Sequence, residues 1–233
     1  MSRQIKGLLY FYITDAKHSL MVFWSILFGT LVISIVGAYL LLNVAEGQMN
    51  FGLSIAAYIY CGIYGFISAK HGTPFSIKLG ATRKNMFVST GIFLMGLAIV
   101  QAVLVSTVQT VVVAGAKIVG IDTFQFIHPA QLLTDNWVTR FVIDTAMMFF
   151  LLSLLYLIGL LFYKYGLLGS GIVLGILAVI LLFGVAKGWV INFFIDIATS
   201  FSITFFYEIL LIGIVIYGVS WLLIRKITTT IAR

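Results

Sequence analysis

Long stretches without a single charge dominate this chain, separated by short polar interruptions. Apolar runs extend from Ser19 to Ala45, Gln48 to Ala69, Asn85 to Ala116, Phe141 to Tyr163, Tyr165 to Ala186 and about Thr204 to Ile224. Only Asp144 and Glu208 place an acid inside any of them, each close to the start of its run. A charge at the centre of a bilayer costs several kcal/mol, and about 20 apolar residues suffice for one helical crossing. The pattern therefore predicts six transmembrane helices. The runs are continuous rather than alternating, which excludes a transmembrane β-barrel. The fold class expected is an all-α integral membrane bundle forming a single transmembrane domain over residues 1–233. The third run exceeds what one crossing needs, so that helix is expected to tilt or to extend beyond the lipid.

Composition agrees. Of 233 residues, 62% are hydrophobic and 9% charged, with a mean hydropathy of +1.16. A soluble domain carries about 25% charged residues, and a water-soluble fold could not cover its surface with so few. A cytosolic enzyme is thereby excluded. The single cysteine, Cys61, excludes disulfide frameworks and is expected to be packing in the second span. The run after the basic amino terminus is longer than the apolar core of a signal peptide, and no convincing A-x-A site follows, so it reads as a retained helix.

With six spans both termini share one side. Counting that side as cytoplasmic places Arg3, Lys6, Lys17, Lys70, Lys78, Arg83, Lys84, Lys164, Arg225, Lys226 and Arg233 inside, eleven of the fourteen basic residues. Lys117, Arg140 and Lys187 fall outside, with Glu46, Asp122, Asp135 and Asp196. This bias is the positive-inside pattern, and the expected location is a bacterial cytoplasmic membrane with both termini in the cytoplasm.

Two non-spanning pieces stand out. In residues 1–18, Ile5, Leu8, Leu9, Tyr12 and Ala16 share one helical face, with Arg3, Lys6, Thr14 and Lys17 largely off it. Such a helix lies in the membrane surface with its apolar face in lipid, either as a plain lead-in to span 1 or as an elbow bracing the bundle. Between spans 2 and 3, KHGTPFSIKLGATRKN carries Lys70, Lys78, Arg83 and Lys84 and no acid. Pro74 and Gly80 leave room for a short helix over 75–79, on which Phe75 and Leu79 form an apolar knob at i, i+4. A basic juxtamembrane loop also serves as a headgroup anchor.

The end of that loop, Leu79-Gly80-Ala81-Thr82-Arg83-Lys84, in a six-span chain with an amphipathic amino-terminal helix, resembles the permease subunit of type-2 ATP-binding-cassette exporters. The resemblance covers the whole chain in layout and about ten residues in motif. It implies that Phe75, Ser76, Ile77, Lys78, Leu79, Gly80, Ala81, Thr82, Arg83 and Lys84 form a coupling helix seated on a separate ATPase subunit. ATP and Mg would be bound by that partner, and this chain would bind no cofactor and catalyse no reaction. The resemblance also implies a second permease copy or paralogue, met through spans 1 and 5. Gly171 and Gly175 of a G-x-x-x-G in span 5 are its candidate contact, since small residues let helices approach closely in lipid. Membrane lipid is a further partner; nucleic acid is not.

The segment GWVINFFIDIATSFSITFFYE is too polar at Asn192 and Asp196 for mid-bilayer and too apolar for a solvated loop. It reads either as re-entrant helices, which the family carries at this place, or as an interfacial helix anchored by Trp189, Phe193 and Phe194. No phosphate-binding loop exists in the chain, so ATP-driven transport needs another polypeptide. His18, His71 and His128 lie far apart along the chain and make no evident metal site. Asp144 and Glu208 are read as structural acids near the outer face, with Asp144 in reach of water and of an i, i+4 pair with Arg140; the alternative is a proton relay. The function expected is the membrane half of an ATP-driven exporter for a hydrophobic or amphipathic cargo such as a membrane-active peptide, drug or lipid. The alternative is a stand-alone ion-driven carrier or a bacteriocin-immunity-type membrane protein.

Overall fold

Leu8, Tyr12, Ala16, Leu27, Leu31, Ser34 and Ala38 recur at helical spacing and are all buried along one rod, α1, which runs unbroken from Arg3 to Leu40. The computed structural model describes residues 3–43, 47–192, 195 and 202–227 of the chain. After α1 come strand β1 (Met49–Phe51), α2 (Leu53–Ile67), a π-helical turn (Ser68–Gly72), α3 (Thr73–Lys78), α4 (Arg83–Val119) and strand β2 (Phe124–Phe126). A 3₁₀ turn (Pro129–Leu132), α5 (Trp137–Ala186) and α6 (Ile203–Ile224) complete the described elements. Among the described residues, five helical stretches are long and apolar enough to cross a membrane: α1, Leu53–Lys78, α4, α5 and α6.

Side-chain contacts fix the direction of each helix. Tyr12 meets Thr90 and Trp24 meets Gln101, so α1 and α4 run parallel. The amide of Gln109 donates to Ser54 (3.3 Å) and the Tyr64 ring meets Phe93, so α2 runs against α4. Tyr58 lies beside Asp144 and Gly65 beside Leu152, so α2 is parallel to the first part of α5. Phe206 packs with Ile143 and Ala146, and the Tyr217 ring with Tyr156, so α6 is parallel to that part as well.

Close approach at the α2–α5 seam depends on two glycines. A Cβ at Gly65 would sit 2.5 Å from the Leu152 carbonyl oxygen, and one at Gly159 would sit 2.7 Å from that of Phe66. In lipid, where apolar burial does not drive helices together, such backbone proximity is what holds a pair. Gly171 and Gly175 differ, since among the described residues a Cβ on either would meet nothing within 4 Å.

Several boundaries depart from the sequence pattern. The division expected near residue 18, between interfacial helix and span 1, coincides with no break. No proline or glycine interrupts Lys17 to Leu20, and the Leu8–Tyr12–Ala16 face assigned to lipid is buried against protein instead. Residues 49–51, assigned to span 2, are a strand. They pair in parallel with 124–126 in the register Met49–Phe124, Asn50–Gln125 and Phe51–Phe126, so an all-α description misses a small two-stranded sheet. The runs 141–163 and 165–186 join in α5, whose backbone leaves helical geometry at Gly166 (φ 68°, ψ −169°). A new helical turn covers Trp189 to Asn192. Glu46, Phe193, Phe194, Asp196 and Arg233 lie outside the described residues.

Candidate functional site

The basic loop between the second and third apolar runs folds as a tight corner. α3 stops in a Schellman arrangement, with Ala81 N–H donating to Ser76 O (3.1 Å) and Gly80 N–H to Ile77 O (3.0 Å). Gly80 takes φ 73°, which its missing side chain permits. Two residues later Thr82 caps α4, its hydroxyl accepting from Asn85 N–H (3.3 Å). The G-x-T segment is thus a helix stop followed by a helix start. Gln4 of α1 clamps this corner: its amide donates to Gly80 O (3.1 Å) and its oxygen accepts from the Asn85 amide (2.5 Å).

Beneath the corner lies a buried chain of hydroxyls. Ser76 donates to Gly72 O (2.7 Å), which leaves its oxygen to accept from Tyr12 (2.8 Å). Tyr12 in turn accepts from Thr90 (3.1 Å). Four helical elements are thereby tied together by neutral donors pointing one way. Phe75 stacks on Phe11 with 4.2 Å between centroids, so only part of the expected knob is free. Leu79 is 59% exposed against 41% for Phe75, and Lys78 and Lys84 are exposed beside it. Ile77, Ala81 and Arg83 are half-buried, and Ser76 is fully buried.

A second cluster occupies the opposite end of the bundle, beside the two-stranded sheet. Asp144 is fully buried, contrary to the expectation that it reaches water. Its Oδ1 accepts from the Tyr58 hydroxyl at 2.5 Å and lies 3.1 Å from His128 Nε2. Its Oδ2 has no partner among the described residues. His128 Nδ1 accepts from Ala130 N–H at 2.9 Å, which leaves the ring proton on Nε2, donated to Asp144. The expected pair with Arg140 is absent because Arg140 is taken by Asp135, just before α5 begins, through two bonds of 2.5 and 2.6 Å. That hydrogen-bonded guanidinium holds the Asp135 carboxyl below its ordinary range. Glu208 stands on the exposed side of α6, apart from this cluster.

A cavity of about 260 Å³ opens next to the cluster, walled by His128, Gln131, Asp135, Arg140, Phe124 and Gln109 among others. The Gln109 side chain is fully buried and its Oε1 has no partner. Tyr58, Gln109 and the capping role of His128 carry no sequence motif. One signal was present: an acid inside an apolar run demands a partner, and His128 and Tyr58 supply it.

No known protein family, no curated protein and no solved structure matches this chain. The likeness to type-2 exporter permeases therefore rests on layout and the Leu79–Lys84 segment alone.

Proposed function

We propose that the chain is the membrane-spanning subunit of an ATP-driven exporter, working with a separate ATPase and a second permease copy or paralogue. The observation that carries this reading is the corner at 73–85. It presents Lys78, Leu79 and Lys84 to solvent on a base bonded to α1, α3 and α4 at once. A soluble partner pushing there would move three helices together, a use that a headgroup anchor does not require.

The parallel packing of α6 with the first part of α5 supports six crossings. Both helices pass from the His128 end towards the corner end, so the chain between them has to return across the bundle. The 20 residues from Leu167 to Ala186 span about 30 Å as a helix, one bilayer core, and the Gly166 break marks where they leave the preceding helix. With ten of the thirteen basic residues among the described ones on the corner side, that side is cytoplasmic in this proposal. The largely exposed, almost wholly apolar segment 167–183 suits lipid or a second permease, and a hydrophobic or amphipathic cargo fits the apolar spans.

Cysteines at Lys78 or Leu79, the exposed positions, should cross-link to a copurifying ATPase. Free reaction of both with a water-soluble reagent in the assembled transporter would refute the proposal. One observation favours an ion-driven carrier: Asp144 keeps a bare carboxylate oxygen in the interior. Liposome transport distinguishes the two, since the exporter needs ATP and no ion gradient, and the carrier the reverse.

A further inference from the structure

His128 is engaged at both ring nitrogens, and the two engagements respond oppositely to a proton. Nδ1 is an acceptor that caps the 3₁₀ turn at Pro129–Leu132, with Gln131 completing the box by accepting from His128 N–H (3.5 Å). Nε2–H is a donor to Asp144 Oδ1. A second proton has only Nδ1 to go to, where it would point at the Ala130 N–H, 2.9 Å away. An imidazolium accepts no hydrogen bond, so the cap has to be released. The bond to Asp144 becomes an ion pair at the same time and keeps the ring in place.

The groups facing this ring come from several elements. Tyr58 and Cys61 on α2 stand near Asp144, and Tyr58 already bonds its Oδ1. Asp144 and the neutralised Asp135–Arg140 pair lie at the start of α5. Lys117 on α4 and Asp122 after it line the shared cavity. Among the described residues, Asp144 is the carboxylate in direct contact with the ring.

We propose that His128 is a proton-binding site that latches the cavity: the neutral ring holds the 129–132 turn against the bundle, and the imidazolium lets it go. His128 and Gln131 are both cavity walls, so release of the turn widens the cavity mouth. The ligand is the proton, and the reading holds whether or not the chain partners an ATPase.

The test uses the purified full-length chain in detergent with Cys61→Ala, comparing Ala130→Cys with Leu132→Cys. Ala130 is fully buried and Leu132 is 72% exposed, so their ratio of reaction with a water-soluble methanethiosulfonate cancels the reagent's own pH dependence. Between pH of about 7.5 and about 5, the window in which histidine titrates, the ratio should rise about tenfold. With His128→Gln, whose amide accepts and donates but does not titrate, the ratio should stay flat. A flat ratio with His128 present, or a persistent rise with glutamine, overturns the proposal. Should Ala130→Cys not fold, hydrogen exchange on the unaltered chain replaces it. Protection of the 128–133 amides, corrected for intrinsic rates, should fall about tenfold at the lower pH, and unchanged protection overturns the latch.

Discussion

Two buried polar groups, one at each end of the bundle, are satisfied differently. At the corner end, Thr90, Tyr12, Ser76 and Gly72 form a neutral chain with each hydroxyl proton committed. At the other end a carboxylate takes two donors on one oxygen and none on the second, next to a cavity. A closed neutral chain has nothing to gain from rearrangement, whereas a half-satisfied carboxylate has an open valence for water, a proton or a ligand.

Substitutions that remove one donor from each end should break this comparison if it is wrong. Tyr58→Phe takes a donor from a buried carboxylate, and a hydrogen bond to a charged group contributes about 1.5–3 kcal/mol. It should therefore give the largest loss of thermal stability in detergent, of about 2 kcal/mol. Combining it with Asp144→Asn should recover part of that loss, because the two residues are coupled; strict additivity would show that the bond carries no charge-dependent stability. Tyr12→Phe at the neutral end should lose about 1 kcal/mol. An equal or larger loss than for Tyr58→Phe would reverse the ranking of the two ends.

The smallest effect belongs to the part-exposed Asp135–Arg140 pair at the bundle's edge, worth about 0–1 kcal/mol. Asp135 is held below its ordinary value of 3.8 chiefly by the hydrogen bond from Arg140. Its contribution is thus present above the unfolded value and is lost as pH falls through the lower folded one. Arg140→Ala should remove a small part of the stability measured at neutral pH and flatten the curve below about pH 4. An unchanged acid limb would show that the pair contributes nothing.

The long apolar runs were legible because charge exclusion acts over about 20 residues at a time; among the described residues five long apolar helices cover the six runs, the fourth and fifth lying in one. The short helix after Pro74 and the stop at Gly80 were legible from local chemistry alone. What the sequence hid was pairing between distant residues. Nothing in MNF or FQF marks a strand until Met49 and Phe124 are brought side by side. Asp144 was placed near water because its position along the run was readable, while the face it turns to Tyr58, 86 residues away, was not. The glycines show the same limit. G-x-x-x-G at 171 and 175 stands out by spacing, but among the described residues the backbone approaches under 3.0 Å fall at Gly65 and Gly159, in separate helices.

The unbroken length of α1 sets where the corner stands relative to the bilayer. Its charge-poor part from Ser19 to Leu40 is about 33 Å long at 1.5 Å per residue, which already fills a hydrocarbon slab of about 30 Å. The preceding 16 residues, Arg3 to His18, add about 24 Å more. Tilting the whole rod into the slab would need an inclination of nearly 60°, beyond the range of about 0–40° found for membrane helices. The first turns of α1 therefore rise out of the hydrocarbon as a mast, with α3 and the start of α4 lashed to it through Gln4 and Tyr12. In a bilayer the corner would stand at or beyond the headgroup layer.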